Sequence, residues 1–209
     1  MEKLVLSKLI MAGSNRRIHS VDRHAGLAIA GLGPDGRQVV HRARAEASRY
    51  LSFYGDRIPA QVLAERLASF MHLYTLYWSV RPFGASVLLA CADAPAEGGG
   101  PPSSASLFAI DTGGEVYRFF GTALGKGRQQ AKTEIERLKL GELSCRDALL
   151  EVAKIIHRCH DEKDKAFELE LSWVCAESGW EHCAVPAELA AAAEKDAKAA
   201  IEAAAMADD

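Results

Sequence analysis

No apolar run in this 209-residue chain comes near the roughly 20 residues that a helix needs to cross a bilayer. The N-terminus has no secretory pattern: Ser7 and Lys8 interrupt Leu4–Met11, and no small-residue cleavage region follows. Charge of one sign is lacking too. The net charge is −3, and Lys and Arg are interleaved with Asp and Glu, so there is no basic stripe of the kind that grips nucleic acid. Cysteine is sparse and odd in number, five residues spread from Cys91 to Cys183. That spacing suits free thiols in a reducing compartment better than a disulfide framework. The expectation is a protein of the cytoplasm and nucleus, with neither nucleic acid nor membrane as a partner. Apolar residues at 49% and charged residues at 25% are the balance of an ordinary globular domain.

Signatures of catalysis and of cofactor binding are thin. There is no G-x-S-x-G elbow, and no cysteine lies in a recognisable catalytic surrounding. An N-terminal Thr, Ser or Cys could use its own amine as base, but the chain opens Met1-Glu2, and freeing Thr122 behind Gly121 would cut the strand series in two. His157, Cys159, His160, His182 and Cys183 lack the paired C-x-x-C or H-x₃-H spacing of a structural zinc site, so no metal is expected. Gly121–Gly127 is one residue short of a phosphate loop and has Gly127 where a magnesium-binding hydroxyl is needed.

Gly31-Leu32-Gly33-Pro34-Asp35-Gly36 does match G-x-G-x-x-G, between an expected strand and an expected helix. The unit then fails, because a second helix follows where a parallel strand ending in a ribose-binding acid should stand. No cofactor is expected. Two readings remain open on the residues alone: a non-catalytic subunit of an assembly, or a nucleotide-binding enzyme using the Gly31–Gly36 turn.

Periodicity divides the chain into segments. Strands are expected over Leu4–Ile10 and His24–Ala30, with a polar turn at Gly13–Arg17 between them. Helices follow over Asp35–Tyr54, closed by Gly55, and from Pro59 to Val80, stopped by Pro82. Three strands come next, Ser86–Ala92, Ser106–Asp111 and Glu115–Ala123, with a Gly/Pro/Ser-rich loop at Pro95–Ser104 and a hairpin turn at Asp111–Gly114.

A helix over Gln129–Lys139 precedes one capped by Ser144, with Asp147 three residues on, which should bury Ala148, Val152, Ile155, Ile156 and Cys159. Phe167–Val174 alternates as a half-buried strand. An alanine-rich helix from Pro186, with Leu189 and Ile201 among its few large apolar residues, is expected to be peripheral. Helices in consecutive pairs and strands in runs imply antiparallel sheets, so the class is α+β: a four-layer αββα sandwich over residues 1–185, followed by a peripheral helix over 186–209.

Tyr74-Thr-Leu-Tyr-Trp-Ser-Val-Arg-Pro-Phe-Gly84 resembles the hallmark of proteasome alpha subunits, whose long second helix is followed by Arg-Pro-Phe-Gly or Arg-Pro-Tyr-Gly. Leu4–Leu9, Gly13–Arg17, Val21–His24, Ala30–Leu32, Gly121–Gly127, Gln130–Glu136 and Cys145–Asp147 lie in the expected order, and Lys163–Val174 is similar to the alpha subunit of the seventh ring position. The resemblance covers most of residues 2–175. It implies the four-layer fold of the N-terminal-nucleophile hydrolases without the nucleophile.

It also implies partners: neighbouring alpha subunits in a seven-membered ring, beta-ring subunits and regulatory particles. The implied role is a non-catalytic part in ubiquitin-dependent and ubiquitin-independent protein degradation. Arg17 matches the basic residue of the inter-subunit pocket that receives activator C-terminal carboxylates, and Gly31 and Leu32 match that pocket's backbone lining. In the family a gating tail, a helix and two strands come first, and this chain enters just after them. An N-terminally truncated sandwich is therefore expected, with Leu4–Ile10 short of sheet partners and a shortened gene model as the favoured cause.

Overall fold

The computed structural model describes residues 1–4, 9–11, 13–93, 104–160 and 167–207. In chain order the strands are β1 (Glu2–Leu4), β2 (Ile18–Asp22), β3 (Ala25–Gly31), β4 (Ala85–Ala92), β5 (Ala105–Ile110), β6 (Val116–Phe119), β7 (Phe167–Leu169), β8 (Ser172–Trp173) and β9 (Cys183–Ala184). The helices are α1 (Gly33–Tyr54), α2 (Ala60–Leu76), α3 (Arg128–Glu136), α4 (Cys145–Cys159) and α5 (Ala187–Ala207). Among the described residues no helix is long and apolar enough to cross a membrane. Two compact units form: one of Arg17–Phe120 with Trp173–Cys183, the other of Met1–Arg16, Gly121–Ser172 and Ala184–Asp209.

The first unit is built on an antiparallel sheet in the order β2-β3-β4-β5-β6. Its register lines up apolar side chains across strands: Ile29, Val87 and Ile110 form one row, and Leu27, Leu89 and Phe108 the next. All six are buried, together with Val39, Val40 and Ala43 of α1 and Leu63, Leu67 and Met71 of α2. Burying a side chain of this size stabilises the fold by about 1.5–3 kcal/mol, so this face sets where α1 and α2 lie. A glycine in α1 allows its close approach to β3: a Cβ on Gly36 would overlap the side chain of Ile29. The hairpin expected at Asp111–Gly114 is present, with the Asp111 carboxylate accepting the N–H groups of Gly113 and Glu115 at 2.9 Å each.

Several boundaries differ from expectation for identifiable reasons. A strand, β2, forms where no strand was anticipated. Its His19, Ser20 and Asp22 look polar, and the ladder to β3 is what orders it. Helix α2 ends at Leu76, not Val80: Tyr77 is extended, Val80 N–H closes a turn on Tyr77 O, and the Thr75 hydroxyl competes for His72 O. Strand β6 stops at Phe119, because its ladder to β5 ends with Leu107 opposite Phe119. Most of the Pro95–Ser104 loop falls outside the described residues.

In the second unit β1 pairs antiparallel with β7, Glu2 opposite Leu169 and Leu4 opposite Phe167, with a Lys3–Glu168 ion pair across the ladder. The strand expected over Leu4–Ile10 lies partly outside the described residues; Leu9 and Ile10 themselves are exposed and in a turn. Glu2–Leu4 does have a sheet partner. The Ser144 hydroxyl caps α4 by accepting Asp147 N–H at 3.2 Å. Because α4 packs against both α3 and α5, its buried positions are Ala153 and Ile155, while Val152 is exposed.

Helix α5 does find a surface, and its Ala197 is fully buried. The continuous strand expected at Phe167–Val174 breaks in two at Leu171, whose carbonyl accepts Val185 N–H at 3.1 Å. Every described ladder for which a register is defined is antiparallel, and the class is α+β, as expected.

Candidate functional site at the β3–α1 turn

Arg17 stands immediately before β2, and its carbonyl accepts Ile29 N–H at 2.9 Å, which ties its backbone to β3. From there its Nη1 donates to the carbonyl oxygen of Gly31 at 2.7 Å. Leu32, next in the chain, leaves its side chain 55% exposed while its N–H donates to Gly84 O at 2.9 Å. The three residues assigned to a pocket by resemblance are thus adjacent, at the point where β3 hands over to α1.

Gly31 has φ +128°, a conformation that favours glycine, and a Cβ there would overlap Gly84 O and stand 2.8 Å from Ala85 Cα. The Gly84 backbone therefore approaches as closely as it does only because residue 31 has no side chain.

The four residues Arg81–Gly84 share this work. Arg81 donates Nη1 to Asp35 Oδ2 at 2.6 Å and Nη2 to Asp35 Oδ1 at 2.9 Å, a bidentate pair. Gly84 N–H adds a third donor to Asp35 Oδ2 at 2.8 Å. Phe83 is buried against the rings of Phe70 and Tyr74, at centroid separations of 5.4 and 4.6 Å. The Arg81 guanidinium, and then the Gly84 N–H, hold the Asp35 carboxyl down at about 2, against an ordinary 3.8. Asp35 in turn raises Arg81 above its usual value. Asp35 was legible in the sequence only as the start of a helix. The signal that could have found it is an acid in the first turn of α1 in a chain whose Arg81 needs a partner.

The same geometry bears on the nucleotide reading. Both neighbours of β3 are antiparallel to it, and α2 follows α1. The first turn of α1 carries Asp35, whose carboxylate is taken up by Arg81 and the Gly84 N–H. Gly121–Gly127 leads into α3, with Gly127 at the N-cap. Elsewhere His157 and His160 lie 4.9 and 4.7 Å from the Phe167 ring, and His160 Nδ1 is 2.8 Å from Glu2. His182 Nδ1 meets the Ser20 hydroxyl at 2.8 Å, and burial lowers its pKa. Among the described residues no group of three or more His, Cys, Asp or Glu could hold a metal ion.

The proteasome subunit family model matches residues 1–174. Proteasome subunit alpha type-3 of Arabidopsis thaliana is 54% identical over 202 residues, 96% of this chain and 78% of that protein. The protein of the same name from Oryza sativa subsp. japonica is 56% identical over the same span, again 96% and 78%. That of Acanthamoeba castellanii is 55% identical over 202 residues, 96% and 77%.

Proposed function

The chain belongs to the proteasome subunit family, and from that premise we propose that it serves as a non-catalytic alpha-ring subunit whose β3–α1 turn receives the C-terminal carboxylate of a regulatory particle. The alpha type-3 names of its relatives support the alpha position and the lack of a nucleophile. On this reading the partners are neighbouring alpha subunits in a seven-membered ring, beta-ring subunits and regulatory particles, in the cytoplasm and nucleus. The role is in ubiquitin-dependent and ubiquitin-independent protein degradation, through ring assembly and substrate entry.

The observation that carries the pocket is the Arg17 guanidinium set on Gly31 O beside the exposed Leu32. A guanidinium forks onto a carboxylate with two parallel bonds, which a lysine cannot reproduce. Leu32 adds an apolar contact for the residues that precede such a carboxylate. The test is docking of an activator onto particles assembled with this chain. Arg17→Glu replaces the cation with an anion and is expected to abolish the contribution of this subunit, and undiminished docking by that variant rejects the assignment.

A further inference from the structure

We propose that Asp35 is a positioning residue for the carboxylate site at Arg17, acting through the backbone of Gly84, Leu32 and Gly31. The inference rests on the pocket reading above. Arg17 donates Nη1 to Gly31 O, so a shift of the Gly31 peptide shifts the guanidinium with it. Glycine is the residue with the most backbone freedom to lose, and Gly31 stands at the last rung of the β3–β4 ladder, opposite Ala85. What holds it from the far side is Leu32 N–H on Gly84 O. Gly84 is itself held by its N–H on the Asp35 carboxylate, with Arg81 gripping the same group through both oxygens.

One buried carboxylate thus receives three donors and clamps the peptide next to the one that orients Arg17. All of these residues lie in the same compact unit. The Arg81 side chain is 67% exposed and that of Asp35 10% exposed, so the pair is anchored at its carboxylate end. That end fixes Gly84. An amide at position 35 keeps the shape but turns an N–H₂ group toward one of the three donors, so the clamp loosens without a change of volume.

The experiment uses assembled particles that carry this chain, photolabelled with a synthetic peptide bearing a free C-terminal carboxylate and, separately, with its C-terminal amide. Adducts on this chain are counted by mass spectrometry. The readout is the acid-to-amide ratio, which a general loss of structure leaves alone because it lowers both labels together. Asp35→Asn is expected to lower the ratio about tenfold, the equivalent of one lost charge-assisted hydrogen bond. Arg81→Lys, which keeps one charged contact, is expected to fall between Asp35→Asn and wild type. A wild-type ratio in Asp35→Asn, with the ratio lost in Arg17→Ala, overturns the positioning role. A wild-type ratio in Arg17→Ala overturns the pocket reading itself and the inference with it. If Asp35→Asn particles do not assemble, Arg81→Lys decides: an unchanged ratio there rejects the proposal.

Discussion

The backbone of Gly84 passes so close to Gly31 that a side chain on residue 31 would overlap the Gly84 carbonyl oxygen. At the same place Gly31 has φ +128°. Two independent restrictions therefore fall on one residue, and neither neighbour can give way cheaply because both are backbone. Gly31→Ala is expected to destabilise the fold by roughly 2–4 kcal/mol, from the left-handed backbone and the forced separation of β3 from Gly84. The midpoint of denaturant unfolding, compared with Gly33→Ala where a Cβ meets only the tip of Arg37 at 3.8 Å, measures it. Equal midpoints for the two variants would contradict the close approach.

Asp35 makes acid stability predictable in sign. Its folded carboxyl titrates at about 2 against 3.8 when unrestrained, so the folded state binds fewer protons in that interval. The stability it confers is fully present above about pH 4 and is lost as the pH falls toward 2. Asp35→Asn is expected to flatten that part of the acid limb while leaving the slope above pH 5 unchanged. Thermal unfolding of both proteins from pH 2 to pH 6 checks this, and parallel curves would exclude Asp35 as the source.

Ser144 supplies an oxygen to Asp147 N–H at the start of α4. Replacing it with alanine leaves that N–H to water, at a cost of about 1 kcal/mol. For a chain of this size the expected fall in Tm is about 2–4 °C. Ser144→Thr, which keeps a hydroxyl to accept Asp147 N–H and donate to the Asp147 carboxylate, is expected to restore most of it. A Tm unchanged in Ser144→Ala would show that the cap carries no weight.

All five cysteines are free thiols, in unlike surroundings. Burial, with Asp93 and Asp22 nearby, pushes the Cys91 thiol up to about 12. Cys145 and Cys183 are exposed, and Cys175 is buried. A thiol reagent acts on the thiolate and needs access. Native protein at pH 7.5 is expected to be labelled first at Cys145 and Cys183, with Cys91 and Cys175 modified only on unfolding. Peptide mapping after a short pulse tests the order, and early labelling of Cys91 would mean that β4 opens readily.

Elements with a strong period were legible before any coordinates. Val39, Val40, Ala43, Ala47, Tyr50 and Leu51 predict one face of α1; the first four are buried and Tyr50 is partly buried against the core, while Leu51 is 48% exposed. Gly55 closes that helix with φ +73° as a terminal glycine should. Strand β2 was not legible, since Ile18-His-Ser-Val-Asp22 has no apolar alternation of its own and is ordered by hydrogen bonds to β3. The end of α2 was misplaced for a related reason. Pro82 marks where a helix must have stopped, whereas the Tyr77–Val80 turn stops it earlier.

The resemblance brought Arg17, Gly31 and Leu32 together on paper, and the structure sets Arg17 on Gly31. Asp35 escaped, because its partner Arg81 is 46 residues away in sequence.

By itself the sequence determined the antiparallel α+β class and the helix caps, and through Arg81–Gly84 it indicated the family. These are local: they follow from side-chain period, from backbone freedom at single residues and from one short motif. Only the tertiary structure decided that Arg81 answers Asp35, that Gly84 must pass over Gly31, and that Arg17 is aimed by the carbonyl between them. Those relations depend on which backbone groups meet across β3, β4 and α1, and no spacing along the chain encodes that meeting.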